Sequence, residues 1–346
     1  MKLALVLALA AVQWQVVPVP SKASFRGLSA VDDNIVWISG TEGTVLRTTD
    51  SGKTWDTLKV PKGEGLDFRG IRAFDDKTAV LMSSGPGEKG QARVYRTADG
   101  GKTWKLVLEE KTKGAFFDAV VFFDAKRGIL IGDPVDSHFM VYLTADGGET
   151  WQRVAPEKIP EALPNEGAFA ASNSCLAVEG ANDAWFATGG ASVARVFRST
   201  NFGESWFVFN TPIHPANAST GIFSLVFQGA LHGMAVGGDY QKPDTPFPNP
   251  LVANDGGRAW HGIGTPQPRF LSSIAVVPGG PHMPGSFAAA GPSGVFSLGP
   301  AAQWVQQSDL NVNVIAFPSA NAGWAAGPKG VVARRNSDAA AGVQKH

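Results

Sequence analysis

The sequence predicts an all-β protein: a seven-bladed β-propeller of four-stranded antiparallel blades, its last blade closed by a strand from the N-terminus. Three observations carry this. One phrase recurs, as RTTDSGKTW from Arg47 to Trp55, RTADGGKTW from Arg96 to Trp104 and LTADGGETW from Leu143 to Trp151. Looser copies follow with the same order of residues, and a period of about fifty residues belongs to propeller blades rather than to short solenoid repeats. Finally, 41 glycines and 23 prolines among 346 residues cut the chain into short apolar runs, the punctuation of an all-β fold.

Each repeat follows one plan. A first apolar run, such as FRGLSAV or FRGIRAF, precedes a second that ends in glycine, such as NIVWISG or RGILIGD. A third run leads into the Asp motif and a fourth follows its Trp. Four short strands separated by turn signals make one blade. First strands are expected to begin near Phe25, Phe68, Phe117, Ser174, Phe223, Ser272 and Val312. The Asp motif therefore sits between strands three and four. There the Thr or Ser hydroxyl and the Asp carboxylate can accept backbone N–H bonds and hold a tight turn. The Gly supplies positive φ, and the Trp covers the hairpin and needs one partner for its indole N–H. Asp50, Trp55, Asp99, Trp104, Asp146, Trp151, Asn201, Trp206, Asp255 and Trp260 are accordingly expected to serve the fold. The last blade, VNVIAFPSANAGWAAGPKGVVARRN, holds only three strands. Its fourth is expected from VQWQVVPVP (Val12 to Pro20), which has a Trp-then-β pattern but no Asp motif before it. Such closure removes an exposed sheet edge.

The N-terminus, MKLALVLALAAVQWQ, has Lys2 followed by an apolar run from Leu3 to Val12. That is the pattern of a short signal peptide and is too short to span a bilayer. The domain expectation is a signal peptide over 1–12, a propeller over 13–336 and a tail over 337–346, with the protein periplasmic or secreted and monomeric. Thirty basic and thirty acidic residues give zero formal charge, and no basic run points to nucleic acid. The single cysteine, Cys175, lies in an apolar run and is expected to be a small buried hydrophobe.

The motif Ser/Thr-x-Asp-x-Gly-x-Thr-Trp resembles the Asp-box, or bacterial neuraminidase, repeat shared by sialidases, sortilin-type receptors and the photosystem II stability/assembly factor family. The approach GTVLRTTD and the spacing resemble the last group over nearly the whole chain. IGDPVDSHF, NEGAFAASNSC, TGGASVARVFRS and VGGDYQKP are similar to an exported bacterial branch of it, whose members are often labelled oxidoreductase or glycosyl hydrolase. The resemblance implies a non-catalytic binding or assembly scaffold; the assembly factors bind a newly made membrane protein.

In a propeller, loops between blades share a face with loops joining strands two and three. The first set carries Arg26, Arg69, Glu166 and Arg269; the second carries Asp133, Asp136, His138, Arg195, Asp239, Tyr240 and Lys329. Polar residues on irregular loops over a rigid scaffold are where binding sites form, so these are expected around one mouth of the channel, facing a protein segment or a glycan. The alternative outcome is that opposite charges pair with each other. A glycoside hydrolase would draw on Asp133, Glu166, Asp239 and Tyr240, but no Arg-Ile-Pro phrase of sialidases is present, and Tyr95 and Tyr142 occupy repeat positions in a strand. GPGEKG at Gly85 to Gly90 fits a dinucleotide fingerprint in letters only, since a β-strand follows it where a helix is required. No flavin, nicotinamide or metal is expected. His138, His214, His232, His261, His282 and His346 show no ligand spacing.

Overall fold

The computed structural model describes residues 13–247, 250–265, 267, 269–279, 285–299 and 302–336. The expected signal segment 1–12, the tail 337–346, His282 and His346 lie outside them. Seven four-stranded antiparallel sheets form a β-propeller. Blade one runs outward through Phe25–Ala30, Val36–Gly40, Val45–Thr48 and Asp56–Thr57. The first strands of blades two to seven are Asp67–Ala73, Phe117–Phe122, Leu176–Glu179, Thr220–Gln228, Ser273–Val277 and Val314–Ala316. Each packs against the first strands on either side, and blade seven's meets blade one's, so the ring closes. Second strands such as Val36–Gly40 and Ala79–Ser84 are buried along their whole length, because sheets cover both their faces. Outermost strands such as Asp56–Thr57 and Gln152–Arg153 are short, polar and exposed, which blunts the free edge.

The repeated turn is built as its residue types require. In blade two, Thr97 Oγ1 donates to Asp99 Oδ1 (2.9 Å) and accepts from Gly101 N (3.0 Å). Asp99 also accepts from Thr103 N (2.9 Å) and Thr103 Oγ1 (2.6 Å). Gly101 lies at φ 79°, which only glycine adopts cheaply. The same bonds recur around Asp50 and Asp146, and around Asn201 with one reversed, since its amide Nδ2 donates to Ser205 Oγ. Donation from Thr54 and Thr103 pulls the carboxyls of Asp50 and Asp99 down to about 2. Around Asp255, Ala253 and Ala259 replace the hydroxyl residues, and only the backbone donors of Arg258 and Ala259 remain. The arginine opening the phrase ties blades together: Arg47 Nη1 donates to Asp76 O (2.6 Å) and Arg96 Nε to Gly147 O (3.0 Å).

The tryptophans depart from expectation in one respect. Trp206 and Trp260 donate their indole N–H to Gly203 O and Gly257 O, but those of Trp55, Trp104 and Trp151 are buried without an acceptor. Trp104 instead meets Trp37 edge to face, with centroids 6.2 Å apart, and Trp55 meets Trp324 at 6.0 Å. Trp206 and Trp260 make such contacts too, with Phe186 and Phe227, so edge-on aromatic packing is common to both groups. The closing strand sits where expected: Trp14 pairs with Arg335, Gln15 with Arg334 and Val16 with Ala333, and Val17 N donates to Val332 O (2.8 Å).

Candidate functional site

One mouth of the channel opens into a cavity of ≈450 Å³ to which all seven blades contribute. Its polar lining comprises Arg26, Arg69, Asp118, Asp133, Tyr240, Ser272 and Asn313. These residues stand near the starts of first strands or the ends of second strands, so the two loop families do share this face. The apolar wall is aromatic. Phe223 stacks on Phe169 (3.8 Å, 11°), and Phe270 and Tyr240 meet it edge on at 4.8 and 6.1 Å. Tyr240 is half exposed, at 51%.

The floor is a segment that the repeat pattern does not contain. Residues 154–175 lead from blade three to blade four, and their last part reaches across the channel. Arg69 Nη1 donates to Ala170 O and Arg26 Nη1 to Ala171 O, each at 3.3 Å. Ser172 Oγ donates to Ser272 O of blade six (2.6 Å). Asn173 takes Val120 N on its Oδ1 (2.8 Å) and gives Nδ2 to Val120 O (2.9 Å), mimicking a strand partner for blade three. Ser174 Oγ and Ser224 Oγ share a bond of 2.6 Å. Asn173 sits at φ 62°, a conformation that Asn tolerates better than most residues. A side chain on Gly70, in FRGIRAF, would come within 2.6 Å of the Asn173 Oδ1, which accounts for that glycine. The floor segment plugs the channel, and blade four's first strand begins just after it at Leu176, near the expected Ser174. Beyond it a second cavity of ≈440 Å³ lies among the inner strands, with Arg72 its charged lining residue.

The electrostatics of the mouth are uneven. Arg69 Nε is engaged by Asp67 (2.7 Å), and burial, with Arg69 close by, lowers the Arg26 pKa. Asp133 Oδ1 accepts from Ala168 N (3.1 Å), yet burial still lifts its carboxyl to about 6. Asp118 is enclosed and pushed well above the usual carboxylate range by burial and by Asp133. Sequence reasoning missed Asp118, because it falls inside a regular first strand and reads as a repeat position.

The remaining expected residues lie elsewhere. Glu166 and Arg195 pair with each other in burial, bonding through Arg195 Nε (2.9 Å) and Nη2; Glu166 also accepts from Thr188 Oγ1 and Leu163 N. Glu166 borders a neighbouring cleft of ≈540 Å³, which Asp133 also lines. Asp239 ties its own loop to the one that enters blade five, through Ser219 Oγ (2.6 Å), Gln241 N (2.9 Å) and Asn217 Nδ2 (3.1 Å). Asp136 and Ser137, at φ 52° and 65°, make a hairpin turn, with His138 Nδ1 3.0 Å from Asp136 O. Arg269 forms an exposed ion pair with Asp244, and Lys329 lies in a short 3₁₀ turn away from the cavity lining. Cys175 is fully buried. Among the described residues no cluster of His, Cys, Asp and Glu is arranged to hold a metal, and no helix is long and apolar enough to cross a membrane.

The molecule is thus a seven-bladed propeller with a polar, aromatic-walled mouth above a plugged channel. No protein-family model matches the chain, and no curated protein does. Among solved structures it is similar to one described as YCF48 bound to D1 peptide, with TM-score 0.65 and 18% identity over 94% of this chain and 97% of that one. It is also similar to U3-55K (TM-score 0.60, 13% identity, 94% and 98% covered). A third is the WD40 β-propeller domain of Doa1 (TM-score 0.59, 11% identity, 95% and 98% covered). At these identities the likeness carries the fold.

Proposed function

We propose that this protein is a non-catalytic binding scaffold, similar to the photosystem II assembly factors, that grips an extended protein segment at the mouth of its propeller. The carrying observation is the mouth cavity itself, where two arginines, an exposed tyrosine and an aromatic wall stand over a floor fixed to five other blades. Arginine forks suit backbone carbonyls and carboxylates, and the aromatic wall suits apolar side chains. A solved neighbour carries a peptide, the D1 peptide, on the same fold. Export to the periplasm or outside the cell belongs to the same proposal, supported by Lys2 and the apolar run after it. The glycoside hydrolase alternative needs two carboxyls flanking one bond. Of its four candidates, Glu166 is saturated by Arg195 and Asp239 by the two loops it joins, which leaves Asp133 and Tyr240 at the cavity.

The test is a display library of extended peptides, with a glycan array beside it. Binding should be found among peptides and be lost in Arg26→Ala and Tyr240→Ala. Both variants should keep wild-type folding within about 1 kcal/mol, as for partly exposed residues. Peptide capture that survives both substitutions, or capture confined to glycans, would overturn the reading.

A further inference from the structure

Asp118 is 1% exposed, and neither of its carboxyl oxygens has a hydrogen-bond partner among the described residues, yet the residue lines the mouth cavity. Asp133, on the second strand of the same blade, borders that cavity too and has one oxygen occupied, by Ala168 N. The charged and titratable groups around them are few. From blade two comes Arg69, already engaged by Asp67 and Ala170 O; from blade one comes Arg26, engaged by Ala171 O. From blade four comes the Cys175 thiol, whose pKa burial and Asp118 push further up. Asp118 therefore has no donor, Asp133 has the single donor Ala168 N, and the cation nearest to Asp118, Arg69, already spends its hydrogen bonds on Asp67 and Ala170 O. A buried acid with no partner destabilises a fold, and sequences keep such a conflict where a ligand resolves it.

Resting on the reading of the mouth as a segment-binding site, we infer that Asp118 and Asp133 form its acid pole and receive the ammonium group of a lysine side chain carried by the bound segment. The match is one of number as well as charge. An ammonium has three N–H donors, and the pair offers both oxygens of Asp118 and the unoccupied oxygen of Asp133. A carboxamide brings two donors and no charge. The arginines lie on the blade-one and blade-two side, so the cavity presents both signs to one segment.

Proton linkage follows. Burial holds both carboxyls above their ordinary range, Asp133 at about 6, so the resting pair retains protons that an entering cation expels. Affinity for the cation must rise with pH through about 6, with protons released on binding.

The experiment uses the full chain and the capped peptide acetyl-Gly-Gly-Lys-Gly-Gly-amide, with norleucine and glutamine versions, titrated calorimetrically at acid and neutral pH in buffers of different ionisation enthalpy. The lysine peptide should bind at least about tenfold more tightly than the norleucine one at neutral pH, a difference of about 1.4 kcal/mol. The preference should shrink at acid pH, and proton release should accompany binding. Asp118→Asn should bring lysine and norleucine to parity, reduce proton release and melt no lower than wild type; Asp133→Asn supplies the same comparison should Asp118→Asn not fold. Equal affinity for lysine and norleucine, or a lysine preference untouched in both variants, overturns the inference. If these peptides fail while other segments are captured through Arg26 and Tyr240, the acid pole falls and the mouth reading stands. If no segment of any kind binds, both fall.

Discussion

Removing one member of the Glu166–Arg195 pair should be among the most damaging single changes in the molecule. The Glu166 side chain is fully buried and that of Arg195 is 8% exposed. Glu166 accepts from Arg195 Nε (2.9 Å), Thr188 Oγ1 (2.6 Å) and Leu163 N (2.8 Å), and Arg195 Nη2 also donates to Glu161 O (2.8 Å). Glu166→Gln keeps the shape but leaves a buried guanidinium without its counter-charge. Breaking a buried pair from one side costs about 3–5 kcal/mol, whereas removing both charges together often costs far less. Arg195→Met should cost a similar amount, and the Glu166→Gln/Arg195→Met double variant should fall well short of the sum, with a coupling of about 2 kcal/mol or more. Urea unfolding of the four proteins, read as midpoint and slope, gives the cycle directly. Single variants losing less than about 1 kcal/mol, or additive losses, would refute the argument. That outcome would return both residues to the pool of ligand contacts.

Three further outcomes are expected. Asp50, Asp99 and Asp146 titrate at about 2 in the fold, against about 3.9 for a free Asp, so their contribution to stability is complete above about pH 4 and is lost as pH falls toward 2; the triple Asp→Ala variant should melt lower at neutral pH and show a flatter decline in acid by circular dichroism. Trp104→Ala should cost about 3–5 kcal/mol through lost packing, whereas Gln303→Ala, exposed in the most degenerate repeat, should shift stability by less than about 0.5 kcal/mol in the same urea assay. A chain starting at Ser21 lacks the strand that pairs with Val332–Asn336 and should unfold earlier and less cooperatively, with recovery on adding the peptide Gln13–Pro20; unchanged calorimetric melting would show that the closure contributes nothing.

The ring was legible because its parts repeat. A turn that needs a hydroxyl, a carboxylate and a positive φ at fixed offsets leaves letters in the chain, and Thr97, Asp99, Gly101 and Thr103 are those letters. The closing strand was legible by subtraction, since Trp14 had no turn before it and blade seven had no fourth strand. The mouth was legible only in part. Arg26, Arg69, Asp133 and Tyr240 do line it, because departure from the repeat marks loops. Departure does not say which way a side chain faces, and so Glu166 and Arg195 found each other while Asp239 turned back onto Ser219. Asp118 was hidden for the opposite reason, being an ordinary strand position whose meaning comes from the cavity above it.

What converts a symmetric ring into a site is the plug. A seven-bladed channel lined by first strands would be open at both ends and nearly equivalent around its axis. The segment ending in Ser172–Ser174 breaks that equivalence: it belongs to blade four but bonds to blades one, two, three, five and six. Its carbonyls at Ala170 and Ala171 each accept from a guanidinium, so a segment that enters from across the ring helps to position Arg26 and Arg69. Its Phe169 stacks on Phe223, which brings Tyr240 to the rim. One irregular segment thus fixes the floor, both arginines and the aromatic wall at once. It follows that substitutions at Ser172 or Asn173, which do not themselves line the mouth cavity, should loosen every wall of the mouth together, whereas a change at Tyr240 alters one wall alone.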